Sequence, residues 1–251
     1  MTPEQLRERH SVRSYSSQPL TEKVVRSISA EITYINTHVA GMHFELVTEN
    51  PEPFQGLKAS YGMFKGVRNF IAAVIDTTYP GAWINAGYYG EQLAMHAVSL
   101  GLGTCFVGGT FDKSAVPSQL RAGWKLPFVI ALGYPAKKTD TFISSILVKA
   151  IHRKSKSALD FLNEPTEDKI RHIQSTPWLL AGFRALESAP SAMNRQPVRI
   201  SLEGDMITAS AAKADNGLLI DLGIALWNFA SATGGEWEIG NPAIFLPPCA
   251  E

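Results

Sequence analysis

The chain is poor in cysteine. Cys105 and Cys249 are the only two among 251 residues, too few for a disulfide scaffold or a structural zinc site. It has no surplus of either charge, since 23 Lys and Arg balance 23 Asp and Glu. That argues against a general nucleic-acid binder, which needs excess cations against phosphate. No apolar run approaches the ~20 residues that span a bilayer, and the opening MTPEQLRERH has no apolar signal core. A cytoplasmic protein without a membrane or nucleic-acid partner is the expectation. Catalytic templates are missing too: no Walker A loop, no GxSxG elbow, no HExxH. GLGTCF starts like a dinucleotide fingerprint but lacks its third glycine, and the six histidines show no metal-ligand spacing. An enzyme without acid–base or nucleophilic chemistry of its own borrows a cofactor's.

What is present is ordinary globular material, 45% apolar and 18% charged, enough for one large domain or two small ones. Residues 1–150 carry 14 Lys/Arg against 11 Asp/Glu, and residues 151–251 carry 9 against 12. The pattern predicts helices over Pro3–Arg9, Thr21–His38, Gly87–Leu100, residues 112–122, Glu167–Ile173, Trp178–Glu187 and an amphipathic Leu218–Ala232. Strands are predicted at His43–Thr48, Asn69–Asp76 and Pro127–Leu132. A hairpin, Pro197–Leu202 with Met206–Ala211, turns at Glu203-Gly204-Asp205. The segment 142–151 is apolar within a polar connection, and Asn163-Glu164-Pro165 marks a boundary, giving 1–164 and 165–251 as two halves. Cys105 sits among apolar neighbours and reads as a buried, inert thiol, with a reactive thiol as the alternative.

Two predicted helices match at one offset. Gly90, Leu93, Ala97 and Gly101 pair with Gly223, Leu226, Ala230 and Gly234, each 133 residues on. Chance between helices of common composition is one account. An internal duplication is the other, and helix–strand–strand–helix order in both halves favours it. Two copies related by a pseudo-twofold axis would mimic a homodimer within one chain.

Three segments stand out together. In Arg9-His10-Ser11-Val12-Arg13, an extended backbone would point Arg9, Ser11 and Arg13 the same way. Two guanidiniums and a hydroxyl make a cradle for a phosphate or an electron-rich heterocycle. Pro190-Ser191-Ala192-Met193-Asn194-Arg195-Gln196-Pro197 is a loop of small and amide-bearing residues that lets backbone approach a flat ring. Gly108-Gly109 can present a backbone N–H without side-chain interference. Taken singly, each has a plainer account: surface charges, a helix C-terminus with a turn, a hinge.

Together these segments resemble the nitroreductase family of FMN-dependent oxidoreductases. RHSVRSY resembles that family's N-terminal flavin signature, and APSAMNRQPV its second flavin segment. GLGTCFVGGTFD with PFVIALGYPAKK resembles the stretch beneath the flavin ring, and HRKSK the late basic segment. The second signature lies here in the second half, where ordinary members carry it shortly after the first. The chain therefore resembles a duplicated single-chain branch, a monomeric pseudo-dimer or a homodimer of one. The resemblance implies an α+β fold, a mixed and mainly antiparallel sheet flanked by helices, in two pseudo-twofold-related halves intertwined as one unit. It implies FMN as cofactor and NADH or NADPH as donor, with an electron-poor acceptor such as a nitroaromatic or quinone as small-molecule substrate. A non-catalytic FMN carrier or sensor is the alternative. Arg9, Ser11 and Arg13, with His10 in the same segment, would hold the pyrimidine edge, ribityl chain and phosphate. Pro190, Ser191, Ala192 and Asn194, with Met193 and Gln196 beside them, would cover the ring from the other half. Gly108 or Gly109 would donate to the flavin's central nitrogen, and Arg153 and Lys154 would complete the phosphate site. No residue is expected to act as acid, base or metal ligand.

Overall fold

The computed structural model describes residues 1–55, 63–117, 122–136, 154–204, 206–211 and 215–248. They form six α-helices and eight strands. In chain order these are α1 (Pro3–Glu8), α2 (Glu22–His38), β1 (Met42–Val47), β2 (Asn69–Asp76), α3 (Ala82–Ser99), β3 (Gly103–Val107), β4 (Trp124–Gly133), α4 (Glu167–Ser175), α5 (Pro177–Leu186), β5 (Arg199–Glu203), β6 (Met206–Ser210), α6 (Asn216–Thr233), β7 (Glu236–Glu238) and β8 (Ala243–Leu246). The strands make two four-stranded sheets, ordered β1-β2-β4-β3 and β5-β6-β8-β7. Every named strand pair is antiparallel. Parallel pairing occurs at isolated bridges such as Ser11 with Thr104. The expected α+β class, mixed but mainly antiparallel, is what the chain adopts.

The chain divides into two compact units that interleave in sequence, 9–82 with 92–152, and 1–8 with 83–91 and 153–251. In the first, β2 reads NFIAAVID and is buried over seven of its eight residues. It is an inner strand between β1 and β4, so both faces need apolar side chains. Helix α2 is capped by Thr21, whose side chain accepts from the Val24 N–H, and it buries Val24, Ile28, Ile32 and Ile35 along one stripe. β1 is an edge strand, and Asn36 blunts it. The Asn36 amide donates to the Phe44 carbonyl and accepts from the Phe44 N–H, both at 2.8 Å. In the second unit Phe229 packs edge-on against Phe183, Trp237 and Phe245.

Several elements depart from the sequence expectation. Within the helix predicted over 112–122, the described residues 112–117 hold one 3₁₀ turn, Lys113–Ala115, capped by Asp112. Val116 is extended because it precedes Pro117, and residues 118–121 lie outside those described. Helix α3 starts five residues before the predicted Gly87, at Ala82. Its N-cap is Gly81, at φ +78° with no side-chain cap, so no start signal was written in the sequence. Helix α6 is buried from Asp221 to Ala230 without a break, so it is enclosed rather than amphipathic. β4 begins at Trp124, three residues early. The register of β2 against it slips between Ala73 and Ile75, opposite Pro127, which has no N–H for the ladder. β3, β7 and β8 were not predicted. β3 opens on the glycine of GLG, and three or four residues give β7 and β8 too short a pattern to register. The segment 142–151 lies outside the described residues.

Helix α6 crosses residues 83–91 of α3 at backbone contact. A Cβ on Gly223 would fall 1.9 Å from the Ile84 carbonyl oxygen, and one on Gly87 would fall 2.1 Å from that of Ile220. Only glycine permits that approach.

Candidate functional site

The N-terminal arm is an extended strip laid along β3. The Val12 N–H donates to the Thr104 carbonyl at 2.9 Å, and Lys65 N–H and Tyr15 N–H exchange bonds with Arg13 and Lys65 carbonyls at 2.9 Å each. Val12 turns inward over Gly103, where a Cβ would meet its side chain at 2.6 Å. Tyr15 is buried and its hydroxyl donates to the Val12 carbonyl at 2.7 Å. With Val12 inward, alternation sends Arg9, Ser11 and Arg13 the other way. All three act on one thiol. Burial pushes the Cys105 thiol up, against the opposing pull of Arg13, the Ser11 side chain and Arg9. Cys105 is therefore a buried neutral thiol, and the three polar side chains gather at that point of β3. Arg9 is buried, His10 exposed, and Ser11 and Arg13 lie between. The Arg13 side chain makes one hydrogen bond among the described residues, a long one of 3.3 Å to the Ser11 carbonyl.

Gly108 and Gly109 follow β3 directly and are exposed. Neither adopts a left-handed φ. A Cβ on Gly109 would meet nothing within 4 Å, and one on Gly108 only the Pro127 carbonyl oxygen at 3.8 Å. Among the described residues, neither strain nor crowding asks for glycine here. Bare backbone beside open space is what a ligand that approaches the main chain would need.

The second unit holds the other segment. After α5, Ala192–Asn194 form a 3₁₀ turn. Met193, Asn194 and Gln196 all have positive φ, at 52°, 52° and 45°, three non-glycine residues in a region such residues seldom occupy. The turn is held by side chains. Ser191 Oγ accepts from the Gln196 N–H at 2.8 Å, and Asn194 donates to Ser155 Oγ at 3.1 Å. Lys156 donates from its N–H to Gln196 Oε1 at 2.8 Å and from Nζ to the Gln196 carbonyl at 2.6 Å. Burial and the nearby Arg199 charge lower the Lys156 pKa. Gln196 Nε2 donates to the Glu187 carbonyl at 3.3 Å. The fold thus joins the basic run, from Lys154 to Lys156, to the loop at 190–197. Lys154 is exposed, and Arg153 lies outside the described residues. Gln196 departs from its expected place as a ring contact: it is buried and both ends of its amide are engaged by the protein, so it shapes the loop.

Sequence reasoning missed Asp221. It lies on the enclosed helix α6, and both its carboxylate oxygens accept from the Ala192 N–H, at 3.1 and 3.2 Å. Burial raises its pKa to about 7, while the Ala192 N–H and Arg195 pull it down and Asp215 pushes it up. The signal was a single acid inside the apolar run LLIDLGIALW. Asp221, Pro190, Ser191 and Gln196 line a small cavity of about 10 Å³. Lys156 and Glu187 were also overlooked as loop supports. Among the described residues no group of three or more His, Cys, Asp or Glu is placed to hold a metal, and no helix is long and apolar enough to cross a membrane.

Such a molecule is an α+β protein that offers guanidinium donors and bare backbone on one segment and a side-chain-braced loop on another. Residues 2–233 match the family model described as "Putative TM nitroreductase". The chain belongs to this nitroreductase family, a family of oxidoreductases. Among solved structures, a Thermotoga maritima protein described as a putative nitroreductase is similar over 98% of this chain and 92% of its own, at TM-score 0.63 and 20% identity. That likeness carries the fold. An FMN-dependent nitroreductase from Clostridium difficile R20291 aligns with 61% of this chain and 98% of its own, at 17% identity and TM-score 0.44. A nitroreductase with bound FMN from Bacteroides fragilis NCTC 9343 aligns with 54% and 88%, at 18% and 0.44. Comparison with curated proteins found no match.

Proposed function

We propose that the chain is an FMN-dependent oxidoreductase that uses NADH or NADPH to reduce an electron-poor small molecule such as a nitroaromatic or quinone. One observation carries the reading most strongly: Arg9, Ser11 and Arg13 all bear on Cys105 of β3, and three residues further on Gly108 and Gly109 are exposed, with no described atom nearer than 3.8 Å to an added Cβ. At ~3.3 Å per residue that is about 10 Å of extended chain, a span suited to a ligand with a fused ring at one end and an anionic tail. The donor chemistry fits FMN. Guanidiniums and a hydroxyl suit a phosphate and a pyrimidine edge, and unencumbered N–H groups suit a ring nitrogen. Arg9, Ser11, Arg13 and a backbone N–H at Gly108 or Gly109 are assigned to the flavin, with His10 at the margin. Pro190, Ser191, Ala192, Met193 and Asn194 form the second flavin segment, and Arg153 and Lys154 are assigned to the phosphate. When bound, FMN supplies the electron chemistry, accepting a hydride equivalent from the nicotinamide and passing the electrons on. The chain's own residues bind, orient and tune it. Positive charge from Arg9 and Arg13 favours a reduced, anionic ring.

We further read the chain as an internal duplication, with halves near 1–164 and 165–251. Both sheets have the same order, outer-inner-inner-outer as first, second, fourth, third. Both third elements are 18-residue helices, and Gly101 and Gly234 behind them share a left-handed φ, +83° and +77°. Gly87 meets Ile220, its own equivalent at the 133-residue offset, as residues on a twofold axis do. A monomeric pseudo-dimer is the simplest assembly, and the cytoplasm the simplest location.

The test is the visible spectrum of the protein as purified. Flavin bands are expected, and Arg13→Ala should purify with less flavin at unchanged fold. A colourless wild-type protein that takes up no added FMN would sink the cofactor assignment. Stopped-flow mixing with NADH and NADPH should bleach the flavin; binding without bleaching would leave a carrier or sensor.

A further inference from the structure

We propose that Asp221 is the positioning residue that latches the 190–196 loop, and that this latch governs how tightly the loop holds flavin. The proposal rests on the flavin reading above. Three left-handed, non-glycine residues follow Ala192 within four positions, a conformation that persists only when surrounding bonds over-determine it. The other bonds come from outside regular structure: Ser191 to Gln196 within the loop, Gln196 to Glu187 just after α5, and Lys156, in the irregular segment before Ala158, to Gln196. Asp221 differs. It reaches the loop from the middle of a packed helix and takes the amide at the start of the turn with both oxygens. A carboxylate enclosed in an apolar helix is unfavourable unless bonded, and Ala192 is the hydrogen-bond partner that the structure provides.

The charged groups around it define its behaviour. Arg195, on the loop, favours the ionised form, and Asp215, at the start of α6, opposes it. Lys156 and Glu187 bear on the loop's other side through Gln196. An ionised carboxylate accepts more strongly than a neutral one, and burial places this ionisation near neutral pH. The latch is therefore firm above neutrality and slack below it.

Two measurements test this on the full chain. In the first, FMN affinity is titrated by flavin fluorescence across about pH 5.5 to about 8.5 for wild type, Asp221→Asn and Asp221→Ala. Wild-type affinity should rise through neutrality beyond the change that FMN's own phosphate causes. Asp221→Asn, which keeps one acceptor oxygen but no charge, should lack that extra rise. Asp221→Ala should bind at least about tenfold more weakly at high pH. The second is amide hydrogen exchange of residues 189–197 without FMN, where Asp221→Ala should exchange faster while β2 and β4 stay protected. Unchanged exchange in the loop, or unchanged affinity alongside a bound flavin, overturns the latch. Faster loop exchange in a protein that takes no FMN upholds the latch and removes the flavin reading instead.

Discussion

Replacing Asp221 with Asn should change how the stability of the protein depends on pH. In the native state burial raises the carboxyl to about 7, from an ordinary value of 3.8. Such a group keeps its proton in the folded chain at pH values where the unfolded chain has lost it. Between about pH 4 and about pH 7 the unfolded state binds fewer protons, so unfolding free energy falls as pH rises and levels off above 7. Each pKa unit corresponds to 1.36 kcal/mol, so a shift of about three units sets the full penalty at about 4 kcal/mol above neutrality. The Ala192 N–H and Arg195 already act within that figure, because both pull the pKa down. Asn is nearly isosteric, keeps an acceptor for Ala192 and carries no titrating proton. The stability difference, variant minus wild type, should therefore grow in favour of the variant by about 2.5 kcal/mol between about pH 5 and about pH 8, the rest of the penalty being already present at pH 5. Urea unfolding of the flavin-free chains at both pH values reads it directly, with equal m-values as the control for two-state behaviour. A difference that does not move with pH would refute the reasoning, because it would mean that Asp221 is as well solvated in the fold as in the open chain.

Gly223→Ala should destabilise the protein by about 2 kcal/mol or more, since its Cβ would fall 1.9 Å from the Ile84 carbonyl oxygen and the helices would have to part; chemical denaturation measures it, and Gly109→Ala, with nothing within 4 Å, is the control expected to leave stability nearly unchanged. Asn36→Ala removes both bonds to the backbone of Phe44 and should cost about 1–3 kcal/mol, with faster exchange at β1 as the local sign. Cys105 should resist iodoacetamide in the folded protein near pH 8, because burial holds its thiol protonated; peptide mass spectrometry should find it alkylated only after denaturation.

The elements legible in the sequence were those whose burial is periodic and local. NFIAAVID announces an inner strand because its six central residues, Phe70 to Ile75, are all apolar and suit two covered faces. Helix α2 shows both its cap, Thr21, and its stripe of isoleucines. Of the helix expected over 112–122, the described residues up to Pro117 hold one 3₁₀ turn, because Val116 before Pro117 is extended. β7 and β8 stayed hidden because three or four residues pair only when the sheet already exists. Of the candidate site, the Arg9–Ser11–Arg13 alternation could be read from spacing, since an extended strip sorts side chains by parity. Gln196 looked like a ligand contact from its residue type, yet Lys156 and Glu187 engage it, and no local pattern reports partners 40 and 9 residues away.

By itself the sequence determined the α+β class, the buried strands and the segments that carry polar donors, because propensity, period and turn chemistry act over a few residues. Tertiary structure alone decided that Asp221 meets Ala192, 29 residues distant, and that α6 is buried without a break from Asp221 to Ala230. Burial sets the free energy of a charge, and burial belongs to the packed whole: the same aspartate on an open helix would be an ordinary acid, and here it titrates near neutrality against one backbone amide.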